Sequence, residues 1–271
     1  MTADELQAYL RRVGHDGPVR PDLQTLTALH RAHPGAIPFE SLDPLLGRGV
    51  RIDPESVHAK LVLGGRGGYC FEQNGLFQRA LGAIGFEVTS LGARVRWMLP
   101  EDAPPTPVSH MLLRVDLPEG PFLCDVGFGG QSPTAPLKLE PGTEQATPHG
   151  TYRLVVHDGV YDLQMRLPDR WGAMYRFTLE PRHPADYEVA NWFTSTHPQS
   201  RFTNNLVASR AHPDRRVNLF NRRKTTYRPG GGEDEEVLAD AAALRRVLAE
   251  DFGLELSADD ALEAFGRIPA G

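Results

Sequence analysis

The first 90 residues carry hydrophobic side chains at helical spacing. In ADELQAYLRRVG, the residues Leu6, Tyr9, Leu10 and Val13 follow the i, i+3, i+4, i+7 pattern of a helix face. Three further segments repeat this pattern between capping residues and glycine or proline stops. The predicted helices are one ending at Gly14, one capped by Asp22 that stops before Pro34, one with Asp53 as cap and Pro54 at its first position, and one over CFEQNGLFQRALGAIG.

From Phe86 onwards the hydrophobic period changes to two. Short apolar or alternating runs between turn residues are typical of antiparallel strands. Their number predicts a barrel or curved sheet of about six to eight strands. The segments are FEVTSLGARVRWM, HMLLRVDL, PFLCDVGFG, TYRLVVHD, VYDLQMRLPDR and WGAMYRFTLE.

The last part of the chain mixes both patterns. ADYEVANWFTST and EVLADAAALRRVLAEDFG predict helices, SRFTNNLVASRA and RRVNLFNRRKTTYRP predict strands, and PGGGEDEE predicts a loop. Helices followed by a barrel and a mixed cap indicate the α+β class. We expect an N-terminal helical bundle over residues 1–88, a central antiparallel β-barrel over 89–190 and a C-terminal α/β lid over 191–271.

Composition and charge narrow the classes of function. Two cysteines in 271 residues are too few for a disulfide framework or a zinc cage of cysteines. No His, Cys or Asp cluster has ligand spacing, so we expect no metal. The net charge of −6 argues against nucleic acid as a partner. Without a long apolar run or a signal-like N-terminus, we expect no membrane association and a cytoplasmic location.

One local basic cluster, RRVNLFNRRK from Arg215 to Lys224, stands out in this acidic chain. One interpretation is a solvated strand-and-turn edge. The other is a site for the phosphates of a nucleotide-bearing substrate. The sequence leaves both open.

The stretch GGRGGYCFEQNG, from Gly64 to Gly75, places a cysteine directly after a glycine-rich loop. A phosphate-binding loop is disfavoured, because neither the lysine nor the Ser/Thr of that motif follows the glycines. A structural turn explains the glycines but not the cysteine. Cys70 would lie in the first turn of a helix, where free N–H groups and the helix dipole stabilise a thiolate. A buried inert cysteine fits the residues equally well.

A thiolate nucleophile needs an imidazole and an acid that orients it. His110 heads the strand HMLLRVDL, and Asp125 lies inside the apolar run PFLCDVGFGG, where an unpaired carboxylate is costly. The short turn LPEG joins the two strands, so His110 and Asp125 should be neighbours. Cys124 should point to the opposite face as a small core residue.

Taken together, RGGYCFEQN, SHMLLRV and CDVGFGG resemble the signature of the bacterial arylamine N-acetyltransferases. The resemblance continues through IPFESLD, PTAPLKL, EQATPHGTYRL and DYEVANWFTSTHPQSRFTNNL, and so covers nearly the whole chain. It implies a Cys70, His110 and Asp125 triad and a fold of helical bundle, β-barrel and α/β lid. The implied reaction is ping-pong transfer from acetyl-CoA, through acetyl-cysteine, to an arylamine, arylhydrazine or hydroxylamine.

Lesser roles are expected for further residues, of which Arg66, Glu40, Phe39, Val95 and Phe202 match positions in the family. Arg66 and Glu40 are expected to form a buried ion pair that braces the Cys70 loop, unless both are exposed charges. Ser109, Gly127 and Gly129 are expected to let the pantetheine arm of CoA approach. The acceptor pocket is expected to use Phe39, Val95, Trp97, Phe128 and Phe202, each of which also suits an ordinary core. We expect a monomer or a homodimer.

Three rival functions remain at this point. The amide synthases that release macrolactams from polyketide carriers resemble the same chain and share the triad. Cysteine hydrolases use a similar Cys-His-Asp arrangement. A non-catalytic binding protein would have little use for all three triad residues.

Overall fold

The N-terminal part of the chain is helical. The computed structural model describes residues 1–228 and 231–269. Asp22 and Asp53 cap helices as predicted, since their side chains accept from the backbone N–H groups of Thr25 at 2.8 Å and Ser56 at 2.9 Å. The helices are α1 Ala3–Val13, α2 Leu23–Ala36, α3 Leu42–Leu45, α4 Pro54–His58, the π-helical turn Ala59–Leu63 that follows it, and α5 Cys70–Ile84.

The predicted stop before Pro34 is wrong, because α2 continues to Ala36. A proline this close to a helix end removes only one backbone hydrogen bond. The Ile37 N–H still closes the last turn by donating to the carbonyl of His33 at 2.8 Å. Pro34 itself is buried, so its packing offsets the lost bond.

The central part forms an eight-stranded antiparallel sheet in the described chain, as the period of two predicted. Its order is β5-β4-β3-β2-β9-β8-β7-β6, and the side chain of Gln145 nearly closes it by bonding both backbone groups of Lys138. The strands are β2 Glu87–Val95, β3 Val108–Leu117, β4 Gly120–Cys124, β5 Leu137–Lys138, β6 Glu144–Thr147, β7 Gly150–His157, β8 Val160–Arg166 and β9 Trp171–Pro181.

A second, five-stranded sheet joins the two ends of the described chain. Its order is β1-β10-β11-β12-β13, and β1 comes from the N-terminal part. The Phe39–Glu40 strand pairs with Ala208 and Ser209 of β10. The elements are β1 Phe39–Glu40, β10 Val207–Ala211, β11 Arg216–Phe220, β12 Arg223–Tyr227, β13 Glu233–Val237, and the helices α6 Pro184–Thr196, α7 Arg201–Asn204, α8 Ala241–Phe252 and α9 Ala258–Arg267.

Three predictions for this last part need correction. The segment predicted as one strand from Ser200 begins with the short helix α7, because the Ser200 side chain caps it. The predicted acidic loop contains strand β13. Charge pairs such as Arg223 with Glu235, at 2.7 Å, link β13 to β12. Residues 229 and 230 of that loop lie outside the described residues. The last predicted helix begins only at Ala241, after its Asp240 cap, and α9 was not predicted.

Buried side chains form three clusters: one among α1, α2, α5 and the start of the barrel, one inside the barrel, and one under the second sheet. Cys70 belongs to the first cluster, and Phe128 packs against the second. The described helices include none long and apolar enough to cross a membrane. The division at residues 88 and 190 stays a prediction.

Candidate active site

Cys70 is the first residue of α5, at the end of the glycine-rich loop. Gly67 explains part of that glycine content, since a β-carbon there would lie 2.2 Å from the Pro38 carbonyl oxygen. The Cys70 side chain is buried, and its thiol donates a weak hydrogen bond to the carbonyl oxygen of Ser109 over 3.8 Å. The first N–H groups of a helix have no partner in the preceding turn. The Cys70 sulfur therefore lies at the end of α5 where the helix dipole is positive.

His110 and Asp125 lie together at the end of the β3–β4 hairpin. The His110 Nε2–H donates to Oδ2 of Asp125 over 2.7 Å, and both side chains are buried. Asp125 does not lie within a strand as predicted. The ladder ends where Cys124 pairs with Leu113, and the chain then turns away. Because Asp125 stands at that turn, its carboxylate can meet both the histidine and backbone N–H groups.

The Asp125 carboxylate is held charged by three donors. Besides His110, its Oδ1 accepts from the side-chain amide of Asn74 and from the backbone N–H of Gly127, both at 3.0 Å. Burial opposes the charge, but these donors outweigh it, so the pKa of Asp125 is lowered. Burial likewise opposes protonation of His110, yet Asp125 and the nearby Cys70 raise the pKa of His110 to about 10.

Aromatic rings fix the plane of the His110 imidazole. Phe128 meets it edge-on, with ring centroids 5.2 Å apart, and Tyr175 lies tilted against it at 5.0 Å. Since Nε2 is occupied by Asp125, Nδ1 is the ring nitrogen left for proton exchange with the Cys70 thiol. The arrangement can therefore activate a thiolate and move one proton.

Asn74 was not singled out in the sequence, although it lies four residues after Cys70 on the same helix face. Its side-chain amide also donates to the Met111 carbonyl at 2.7 Å, and its oxygen accepts from the Val126 N–H at 3.0 Å. Asn74 thus ties α5 to β3 and to the loop after β4. The i+4 spacing from a candidate nucleophile was the available signal.

Arg66 and Glu40 form the expected ion pair, with Nη2 and Oε1 2.6 Å apart and Glu40 buried. The pair belongs to a larger network, since Lys60 contacts Asp43 at 2.6 Å and Glu72 at 2.7 Å. Glu72 in turn accepts from the backbone N–H of Tyr69 at 3.0 Å. Burial is the main cause that raises the pKa of Glu72 to about 7. The network holds the loop that leads into Cys70.

A cavity of about 400 Å³ opens beside Cys70 and His110. All five residues predicted for an acceptor pocket line it, as do Ser109 and Gly127. Gly129 does not line it; Gly130 takes that place, and the α-carbon of Gly129 instead faces the Phe39 ring. Four other lining residues belong to the basic cluster from Arg215 to Lys224: Asn218, Leu219, Phe220 and Arg223. The sequence did not single out the remaining ones: Gln131, Phe193, Thr194, Gln199, Ser200, Arg201, Val207, Ala208, Thr225 and Tyr227.

Cys124 is fully buried, as expected for a core residue, and burial raises the pKa of its thiol well above the usual value. It belongs to the same hydrophobic cluster as Cys70 but does not line the cavity. The two thiols thus differ in access to a ligand.

Comparison with known proteins agrees with this geometry. Residues 22–261 match the model of a family described as N-acetyltransferase. The arylamine N-acetyltransferase of Mycobacterium tuberculosis is 44% identical over 256 residues, which are 93% of this chain and 90% of that protein. The solved structure of Mycobacterium marinum arylamine N-acetyltransferase in complex with CoA is 40% identical, with a TM-score of 0.93 over 97% of this chain and 100% of that one.

A relative with a different name lies further away. Proansamycin X synthase of Amycolatopsis mediterranei is 31% identical over 264 residues, covering 93% of this chain and all of that protein. The higher identity over a similar span lies with the acetyltransferases. On its fold, its matched family model and these relatives, the chain belongs to the arylamine N-acetyltransferase family.

Proposed function

We propose that this chain transfers the acetyl group of acetyl-CoA to arylamines, arylhydrazines or hydroxylamines through an acetyl-Cys70 intermediate. The observation that carries the proposal is the placement of the Cys70 thiol and the His110–Asp125 pair at one cavity. The family membership supports the reaction class. The triad roles and the two-step order are our inference from geometry and resemblance.

In the first half-reaction, the Cys70 thiolate attacks the thioester carbonyl carbon of acetyl-CoA. The C–S bond to CoA breaks, CoA leaves as a thiolate, and the proton held by His110 neutralises it. Backbone N–H groups in the first turn of α5, which begins at Cys70, are the donors that we assign to the tetrahedral oxyanion. Asp125 supports the imidazolium until the proton is transferred.

In the second half-reaction, the amine nitrogen attacks the carbonyl carbon of acetyl-Cys70. The bond between the Cys70 sulfur and the acetyl carbon breaks, and the acetamide forms. The proton released by the amine goes to Nδ1 of His110. The starting thiolate–imidazolium pair is then restored. One proton leaves His110 in the first half-reaction and one returns to it in the second, so the His110 proton is the only one that the site must store.

The cavity size suits a compact acceptor. A volume of about 400 Å³ lies toward the small end of the roughly 300–1,000 Å³ typical of ligand sites. Phe39, Phe128 and Phe202 line it, and their rings provide flat apolar walls for an aryl group. We therefore place arylamine acetylation ahead of macrolactam release, which would need a wider pocket for a long acyl chain.

Intact-mass analysis after incubation with acetyl-CoA alone tests the proposal. We expect one added acetyl group on the wild type and on Cys124→Ala, none on Cys70→Ala, and discharge when an arylamine is added. Discharge by water at the same rate would favour a hydrolase. A folded wild type that takes acyl groups only from long-chain thioesters would favour the amide synthase.

The cytoplasmic location and the monomeric or homodimeric state stay predictions.

A further inference from the structure

The cavity beside Cys70 is lined by two arginines and, among the described residues, by no carboxylate. This contrasts with the whole chain, which has 35 acidic and 29 basic residues. Arg201 and Arg223 both lie on the solvent-exposed side, whereas Cys70 lies at the buried end. The described lining of the open end therefore holds no acidic side chain that would repel an anionic group.

The basic cluster identified in the sequence is mostly occupied by other contacts. Arg223 pairs with Glu235 at 2.7 Å, Lys224 with Asp251 at 3.0 Å, and Arg215 with Asp214 at 3.2 Å. The buried Arg216 donates to the carbonyls of Gly130 and Ser132, at 2.8 Å and 2.7 Å. These cations stabilise the second sheet and its contact with the barrel.

Arg201 differs from that cluster. Within residues 1–228 and 231–269 its guanidinium forms no ion pair, and it lies over the face of Phe220 with 5.0 Å between Cζ and the ring centroid. The surrounding protein displaces water from it and lowers its pKa. Stacking on a half-exposed ring fixes the guanidinium plane and leaves its N–H donors available.

We propose that Arg201 binds a phosphate group of the CoA nucleotide at the cavity opening while the thioester reaches Cys70. This inference rests on the proposed function, since it assigns the acetyl donor to this cavity. The planar fork of an arginine matches two oxygens of one phosphate. The phosphate belongs either to the diphosphate bridge or to the 3′-phosphate of the ribose, which share the same chemistry.

Three acetyl donors separate these possibilities when their kinetics are measured with wild type and Arg201→Gln. Acetyl-CoA carries both phosphate groups, acetyl-dephospho-CoA lacks the 3′-phosphate, and S-acetylpantetheine carries none. We expect Arg201→Gln to raise the KM for acetyl-CoA about tenfold, with little change in kcat, as one charge-assisted hydrogen bond is lost. With S-acetylpantetheine the two proteins should be equal.

Acetyl-dephospho-CoA then identifies the phosphate. If the penalty of the variant persists, Arg201 contacts the diphosphate; if it disappears, Arg201 contacts the 3′-phosphate. Arg201→Lys should recover part of the affinity, because lysine keeps the charge without the fork. The matched control is Arg170→Gln, which removes an exposed positive charge on the barrel, away from the cavity, and should leave every KM unchanged.

An equal penalty with all three donors, or no penalty with acetyl-CoA, would overturn the role of Arg201. A wild type that accepts acetyl groups from none of the donors would instead overturn the proposed function. Far-UV circular dichroism and thermal unfolding of each variant confirm that the comparison is made between folded proteins.

Discussion

Gly127 is the point where the loop after β4 touches helix α5 at Cys70, so adding one methyl group there tests the geometry of the site. A β-carbon at this position would lie 2.9 Å from the Cys70 α-carbon and 2.7 Å from the Asn74 side-chain nitrogen. The Asn74 contact can rotate away only by giving up its bond to Asp125. The Cys70 contact is with backbone and has no such freedom.

The size of the effect follows from these distances. Ordinary contact begins near 3.4 Å, so the loop and the helix must separate by the difference between 2.9 and 3.4 Å, about 0.5 Å. Overpacking of this kind costs about 1–3 kcal/mol of unfolding free energy. Displacing a reacting atom by about 1 Å costs about a hundredfold in rate. The displacement here is about half of that, so we expect Gly127→Ala to slow acetylation of Cys70 about tenfold.

The assay combines urea unfolding with the rate of Cys70 acetylation, followed by intact mass. Gly75→Ala is the matched control, because Gly75 lies in the same helix with nothing within 4 Å of an added β-carbon. The control should gain about 0.5–1 kcal/mol of stability and keep the wild-type rate. A Gly127→Ala protein as stable and as fast as the wild type would refute the packing argument.

Two further substitutions test the charges around the site. Asp125→Asn removes the main cause that raises the pKa of His110 from 6.5 to about 10. In the wild type, the stability that protonated His110 contributes is complete below about pH 6.5 and is lost as the pH rises through 10. Between these pH values, the unfolding free energy of the variant should therefore fall less than that of the wild type. Its Cys70 acetylation should also slow by about 10²–10⁴-fold, and an unchanged rate would contradict the assigned role. Arg66→Met leaves the buried Glu40 carboxylate without its closest partner and should cost about 3 kcal/mol in urea unfolding, while the Arg66→Met/Glu40→Gln double variant should recover part of that loss.

Local sequence signals found the central contacts because those contacts are short-range. The His110–Asp125 pair forms at the open end of one hairpin with a two-residue turn. Strand pairing brings β3 and β4 together up to Cys124, and the turn of the chain after Cys124 lets the Asp125 carboxylate meet His110. The glycine-rich loop and the helix start that follows it marked Cys70 as a candidate, and the family resemblance then favoured it over an inert cysteine. In both cases the responsible geometry is contained within about 15 residues of chain.

The missed features depend on segments that are distant in sequence. Arg201 and Phe220 reach the cavity because β1 pairs with β10, which joins residues near 40 to residues near 208. The acidic strand β13 pairs with β12, which presents Arg223 to Glu235 and Lys224 to Glu236. A sequence pattern records the charge of each segment but not the partner that neutralises it.

The sequence by itself determined the α+β class, the helical and strand periods, the cysteine at a helix start and the hairpin that joins a histidine to an acid. Only the tertiary structure decided that α2 continues through Pro34, that Asn74 links three elements, and that Arg201 stacks on Phe220 at the cavity opening. The reason is physical. Periodicity and capping act within a few turns of chain, whereas a cavity and the charges around it are set by packing between elements far apart in sequence.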